Sequence, residues 1–92
     1  MIVKICGVPH KIIYAKDVYN VDNHLGQINY KEAEILINSE SSAEIQKETL
    51  CHEILHGMLV HIGMNDLASN EIFVQALGNA IYQSFDIRME GE

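Results

Sequence analysis

The chain has 92 residues, 48% of them hydrophobic, and a formal net charge of −7 at pH 7. This composition predicts one globular domain over residues 1–92 and excludes a disordered chain. The negative charge argues against direct binding to nucleic acid or to an anionic membrane, because both favour clusters of Lys and Arg.

The sequence also bears on the compartment. No stretch has the pattern of a secretory signal, and no apolar run approaches the length of a transmembrane helix. Cys6 and Cys51 make neither a CxxC pair nor a disulfide framework. We therefore expect a cytoplasmic protein whose two thiols are reduced.

The first part of the chain predicts short strands. The four candidates are residues 1–6, 10–15, 26–30 and 34–38, which are rich in β-branched and aromatic residues or alternate with period two. Turn formers at 7–9 and a short link at 31–33 predict two hairpins, and residues 17–25 read as a connection. His10 is expected on the surface of its strand. One of the two later strands could be a sheet edge that holds an extended peptide.

The second part predicts helices. Ser41 and Glu44 fit a capping box, and the helix that they begin should run to about Ile62 and end at Gly63. Residues 64–66 form a turn, in which Asn65 or Asp66 could cap a further helix, with residues 67–70 as its opening or as more loop. Residues 71–85 are expected to be helical and to be followed by a short frayed tail. Its expected buried face comprises Phe73, Leu77, Ala80, Ile81 and Ser84.

These elements define the expected fold. It is α+β, with a small, mostly antiparallel sheet of three or four strands packed on two main helices. The first helix carries His-Glu-x-x-His at residues 52–56. His52 and His56 lie one turn apart on one face, so both imidazoles can hold one zinc ion, and Glu53 can act as base on a metal-bound water.

A catalytic zinc usually takes three protein ligands and one water. Glu71, His61, His24 and Cys51 are the candidates for the third ligand. If the two helices reverse near Gly63, residues equally distant from the turn lie level, which pairs Glu71 with His56 and favours Glu71. In the same register, Gln75 could orient His52 through its free ring nitrogen, and Gly78 would let the helices approach closely.

The segments 48–57 and 70–74 together resemble a very small gluzincin metallopeptidase. They are most similar to the phage and bacterial ImmA/IrrE-type proteins and to the minigluzincins, over about residues 26–85. The resemblance implies a minimal zincin-like fold and one zinc ion on His52, His56 and Glu71, with Glu53 as general base. Some relatives cleave a repressor-like partner, and some are latent because their own chain blocks the cleft.

In larger gluzincins a His or Tyr stabilises the oxyanion of the substrate. Tyr14, Tyr30 and His24 are the candidates for that role here, whereas Tyr82 lies about three helical turns beyond Glu71.

Three functions follow from these observations. The first is a zinc-dependent endopeptidase that acts on a protein or peptide, with a repressor-like regulator as one candidate substrate. The second is a catalytically silent or latent zinc-binding module that binds a partner protein. In the third, His-Glu-x-x-His is an accident in a small acidic protein, which predicts no stoichiometric zinc.

Overall fold

A computed structural model describes residues 1–18 and 25–91. The elements are β1 Ile2–Ile5, β2 Val8–Ala15, β3 Gly26–Asn29, β4 Glu34–Asn38, α1 Ala43–His61, α2 Asn65–Ala68 and α3 Glu71–Ser84. The strands form one sheet in the order β1-β2-β4-β3. The β1–β2 and β3–β4 pairs are antiparallel and β2–β4 is parallel. The predicted α+β class, with a four-stranded sheet and two main helices, is confirmed; the parallel pair makes the sheet mixed.

Helix α1 packs across one face of this sheet. Alternate residues of a strand share a face, so the inward residues of three strands meet one side of the helix. The buried cluster comprises Val3, Ile5, Ile12, Ile35, Ile37 and Leu50. A Cβ on Gly57 would lie 2.9 Å from Cδ1 of Ile28 and 3.0 Å from Cδ1 of Ile5. Glycine at position 57 therefore lets α1 approach the sheet closely.

The ends of α1 are fixed by local chemistry. The side chain of Ser42 accepts a hydrogen bond from the amide of Ile45 at 3.3 Å, so Ser42 is the N-cap. The predicted capping box of Ser41 and Glu44 is wrong by one residue. At the other end, Gly63 has a φ of +81° and the chain reverses there, which confirms the predicted stop.

The first hairpin differs in detail from its prediction. Its turn consists of Cys6 and Gly7, which have φ values of +50° and +82°. Two consecutive residues with positive φ are typical of the tight turns that join antiparallel strands. Val8 and Pro9 consequently belong to β2 rather than to the turn.

His10 is buried, although the sequence predicted a surface position. Its relative exposure is only 1%, because it lies on the inward face of β2 two residues before Ile12. The backbone carbonyl of Val8 lies 2.8 Å from its Nδ1, and its ring contacts His61 edge to face. Hydrogen bonding to the backbone makes the burial of this polar ring acceptable.

The C-terminal segment is paired and packed, so the prediction of a frayed tail is wrong. The amide of Ile2 donates to the carbonyl of Glu90 at 2.7 Å, and the amide of Glu90 donates back at 2.8 Å. Ile87 and Met89 pack against the core cluster. Both cover apolar surface, and that burial offsets the entropy cost of ordering the segment.

We expect Ile87→Ala to lower the free energy of unfolding by about 1–2 kcal/mol, because it removes partly buried apolar atoms from the core. Phe85→Ala is the matched control in the same segment, since Phe85 is 70% exposed. Urea unfolding of both variants measures the difference. Equal, small effects would show that the segment does not stabilise the core.

Candidate metal centre

The site depends on how α3 packs against α1. A Cβ added at Gly78 would lie 3.6 Å from Cα of His52 and 3.7 Å from its nitrogen, so the contact leaves room for little more than a methyl group. Val74, one turn earlier, is fully buried and belongs to one hydrophobic cluster with Leu55 and Leu59. The predicted close approach at Gly78 is confirmed.

This packing rotates α3 away from its predicted orientation. The buried residues of the helix are Val74 and Gly78, with Phe73 and Ile81 partly buried beside them. Leu77 is 38% exposed, and Ala80 and Ser84 are exposed. The smallest residue allows the closest approach of the two helices. The buried face of α3 therefore centres on Gly78 rather than on the larger Leu77.

The N-terminus of α3 holds Glu71 in place. The side chain of Asn70 accepts a hydrogen bond from the amide of Phe73 at 3.0 Å, so Asn70 is the N-cap and Glu71 is the first helical residue. The short α2 connects this start to the end of α1. Glu71 thus returns to the level of the two histidines, and its side chain remains 45% exposed.

Three predicted ligand residues come together at this point. The Nε2 atoms of His52 and His56 are 3.1 Å apart. One carboxylate oxygen of Glu71 is 3.1 Å from Nε2 of His52, and the other is 3.0 Å from Nε2 of His56. All three residues therefore direct a donor atom to one small volume.

This group could hold a metal ion. A tetrahedral ion with bonds of about 2.0–2.1 Å needs neighbouring donors about 3.3 Å apart, close to the observed separations. Two imidazole nitrogens and a carboxylate oxygen also suit first-row divalent metals. The residues present thus fit a metal in both spacing and chemistry.

Glu53 lies beside this group and is almost completely buried, at 4% relative exposure. Burial, and to a lesser extent the nearby charge of Glu71, raises the pKa of its carboxyl to about 7. A cation held by Glu71 would oppose the second effect, because positive charge favours the ionised form. A carboxyl perturbed in this way and placed next to ligating groups is typical of a functional site.

The other candidates for the third ligand have different surroundings from those of Glu71. Cys51 is buried and lines cavities between α1 and the C-terminal segment, and His61 is exposed and contacts His10. His24 lies outside the described residues.

The side chain of Gln75 contacts Glu48 and Asn79. Its amide nitrogen lies 3.1 Å from a carboxylate oxygen of Glu48 and 3.3 Å from Oδ1 of Asn79, and it can donate to both. Glu48 is the residue that the sequence interpretation missed. Its position one turn before His52 was the available signal, and it joins α1 to α3 beside the histidine.

Comparisons of the chain with protein-family models, with curated proteins and with solved structures gave no match. The chemistry of these residues must therefore carry the functional conclusion.

We expect one divalent transition-metal ion per chain after purification, as measured by elemental analysis. At a free metal concentration of about 100 times Kd, binding adds about 2.7 kcal/mol of stability, or roughly 10–20 °C in Tm. His52→Ala should lose the metal and this gain, whereas His61→Ala on the same helix should keep both. No change in Tm on chelation would contradict a metal site.

The metal-free protein should lose stability as the pH rises. The pKa of Glu53 is about 7 in the folded state and ordinarily 4.5. The folded state therefore binds this proton more tightly, and the associated stability is lost as the pH rises from 4.5 through 7. Glu53→Gln removes this dependence. The free energy of unfolding of the variant, relative to that of the unmodified protein, should therefore rise by on the order of 2 kcal/mol between about pH 5.5 and about pH 8.

Urea unfolding in the presence of a chelator measures this difference. Glu44→Gln, in the exposed first turn of the same helix, is the matched control. An advantage of Glu53→Gln that is the same at both pH values would contradict the raised pKa.

Proposed function

We propose that the protein is a zinc-dependent endopeptidase, with zinc held by His52, His56 and Glu71 and with Glu53 as general base. The observation that carries the proposal is the convergence of three metal-binding side chains from two helices beside a buried carboxylate. This arrangement supports hydrolysis, because it combines a site for a Lewis acid with a group that can accept a proton.

Zinc is a metal that this donor set suits. Two histidines and one glutamate are a ligand set of catalytic zinc in peptidases. Three protein donors, carried here by α1 and α3, are the number that a catalytic zinc usually takes. Structural zinc sites, in contrast, usually have four protein ligands.

Different residues have different roles in the proposed reaction. His52, His56 and Glu71 would hold the zinc ion, which would supply Lewis acidity to acidify water and to polarise the scissile carbonyl. Glu53 accepts a proton from the attacking water and delivers it to the departing amine. The burial of Glu53 suits this exchange, because desolvation raises the pKa of the carboxyl above its ordinary value and so makes the carboxylate a stronger proton acceptor.

Strand β3 supports the binding of an extended peptide. It stands at one end of the described sheet and pairs only with β4 within it, so its other edge can accept a further strand. Ile28 of β3 contacts α1 near Gly57, one turn after Glu53. At the opposite end of the sheet, Glu90 pairs with Ile2 of β1. Among the described strands, β3 therefore offers the sheet edge that supports this mode of substrate binding.

The partner in this proposal is a protein or peptide substrate, with a repressor-like regulator as one candidate. None of the helices formed by residues 1–18 and 25–91 combines the length and apolarity needed to cross a bilayer. A cytoplasmic location and the absence of direct nucleic-acid binding stay predictions from cysteine content and charge.

Glu53→Gln is the decisive variant for the endopeptidase. The zinc-loaded protein should cleave members of an unstructured peptide library, detected by mass spectrometry. The variant should retain one zinc per chain and lose at least about 100-fold in cleavage, because the general base is absent. Glu44→Gln should cleave as the unmodified protein does.

Two results would overturn the proposal. Unchanged cleavage by Glu53→Gln would remove Glu53 from the mechanism. Stoichiometric zinc with no cleavage of any peptide by the unmodified protein would instead favour the silent zinc-binding module.

A further inference from the structure

Two adjoining cavities lie between α1, the end of α3 and the C-terminal segment, residues 85–91. Their volumes are about 270 and 250 Å³. Cys51 of α1 lines both of them, as do Phe85 and Ile87 of the segment. None of the three candidate metal ligands lines either cavity, so the pair, here called the segment groove, is a site separate from the candidate metal centre.

The wall that α1 contributes is centred on one stripe of the helix. Its positions 47, 51, 54 and 58 recur at helical spacing, and each lines one or both cavities. Because each residue turns an α-helix by about 100°, this stripe faces a different side of α1 from His52 and His56. A molecule in the segment groove would therefore leave the candidate metal centre uncovered.

The size and lining of the segment groove suit apolar side chains. Each cavity is smaller than the roughly 300–1,000 Å³ of a typical small-molecule site, and most of the lining residues are apolar. Phe85, which borders both cavities, is 70% exposed, and Met58 is 42% exposed. Aromatic residues and Met are enriched at protein interfaces. Two large side chains of one peptide segment would fill the two cavities.

The rim of the segment groove is basic, although the chain as a whole is acidic. Lys4, Lys47 and Arg88 line the cavities and are three of the six Lys and Arg residues, whereas Asp86 is one of 13 acidic residues. All three basic residues are exposed. Within residues 1–18 and 25–91, no carboxylate forms an ion pair with them. This local excess of positive charge is complementary to carboxylates.

We propose that the segment groove binds a short acidic segment of a partner protein. Two large apolar side chains of that segment enter the cavities beside Phe85, and its flanking carboxylates meet Lys4, Lys47 and Arg88. Burial of exposed apolar surface supplies affinity, and the basic rim selects the charge of the partner. This binding goes beyond the proposed peptidase activity, since it uses neither a metal ligand nor Glu53.

Two peptide libraries test the proposal. In the first, two leucines or phenylalanines are separated by a spacer of variable length and flanked by glutamates; in the second, lysines replace the glutamates. Peptides of the first library that the immobilised protein retains are then measured by fluorescence anisotropy. Their lysine counterparts should bind at least about tenfold more weakly, because they place like charges at the rim.

Substitutions in the segment groove should weaken binding of the retained peptides. Phe85→Ala and Lys47→Glu should each raise Kd about tenfold, since one removes an apolar contact and the other reverses a rim charge. Lys16→Glu is the matched control, because Lys16 is exposed and follows β2 rather than lining these cavities. It should bind as the unmodified protein does, and His52→Ala should do so as well.

Methionine signals locate the bound peptide without any substitution. Met89 lines one cavity and Met58 the other, whereas Met64 lies at the start of α2. In protein labelled with ¹³C at the methionine methyl groups, a retained peptide should shift the NMR signals of Met58 and Met89 and leave that of Met64 in place.

Several outcomes would overturn the proposal. Equal retention of the two libraries, or an unchanged Kd in Lys47→Glu, would remove the recognition of acidic groups. Binding of oleate but of neither library would assign the segment groove to a small amphipathic acid instead. Unshifted signals of Met58 and Met89 would place peptide binding elsewhere. Loss of peptidase activity in Glu53→Gln bears on none of these results, so the two proposals fail independently.

Discussion

The contact between Gly78 of α3 and the backbone of His52 is the constraint on which the candidate metal centre depends. The candidate ligands come from two helices, so their spacing is set by how closely those helices pack. Val74 completes the interface as a fully buried residue, and Glu71 lies one turn before it. A bulkier residue at position 78 would push α3 outward and draw the carboxylate away from both imidazoles.

The site also contains an arrangement that stability alone would not favour. Glu53 is buried next to a second carboxylate, and ionising it inside the protein has a free-energy cost that solvent would remove. Two histidines and an acid on the same small surface add to this concentration of polar groups. A cation held there would relieve the repulsion between the carboxylates, and this would couple metal binding to the stability of the fold.

Helix α1 connects the sheet to the candidate metal centre. One side of it packs on the strands through Leu50 and Gly57, and another meets α3, where the backbone of His52 lies against Gly78. The two ends of the described sheet differ. The C-terminal segment pairs with β1 at one end, while β3, whose Ile28 lies close to Gly57, is at the other.

Local spacing and the length of one reversal were enough to predict most of the helices and strands, the His-Glu-x-x-His helix and the return of Glu71 to the two histidines. The sequence could not determine the parallel pairing of β2 with β4, the burial of His10 or the pairing of the C-terminal segment with β1. Each of those features joins residues far apart in the chain. The orientation of α3 was likewise decided by tertiary packing, since Gly78 has no side chain to mark it as part of an apolar face.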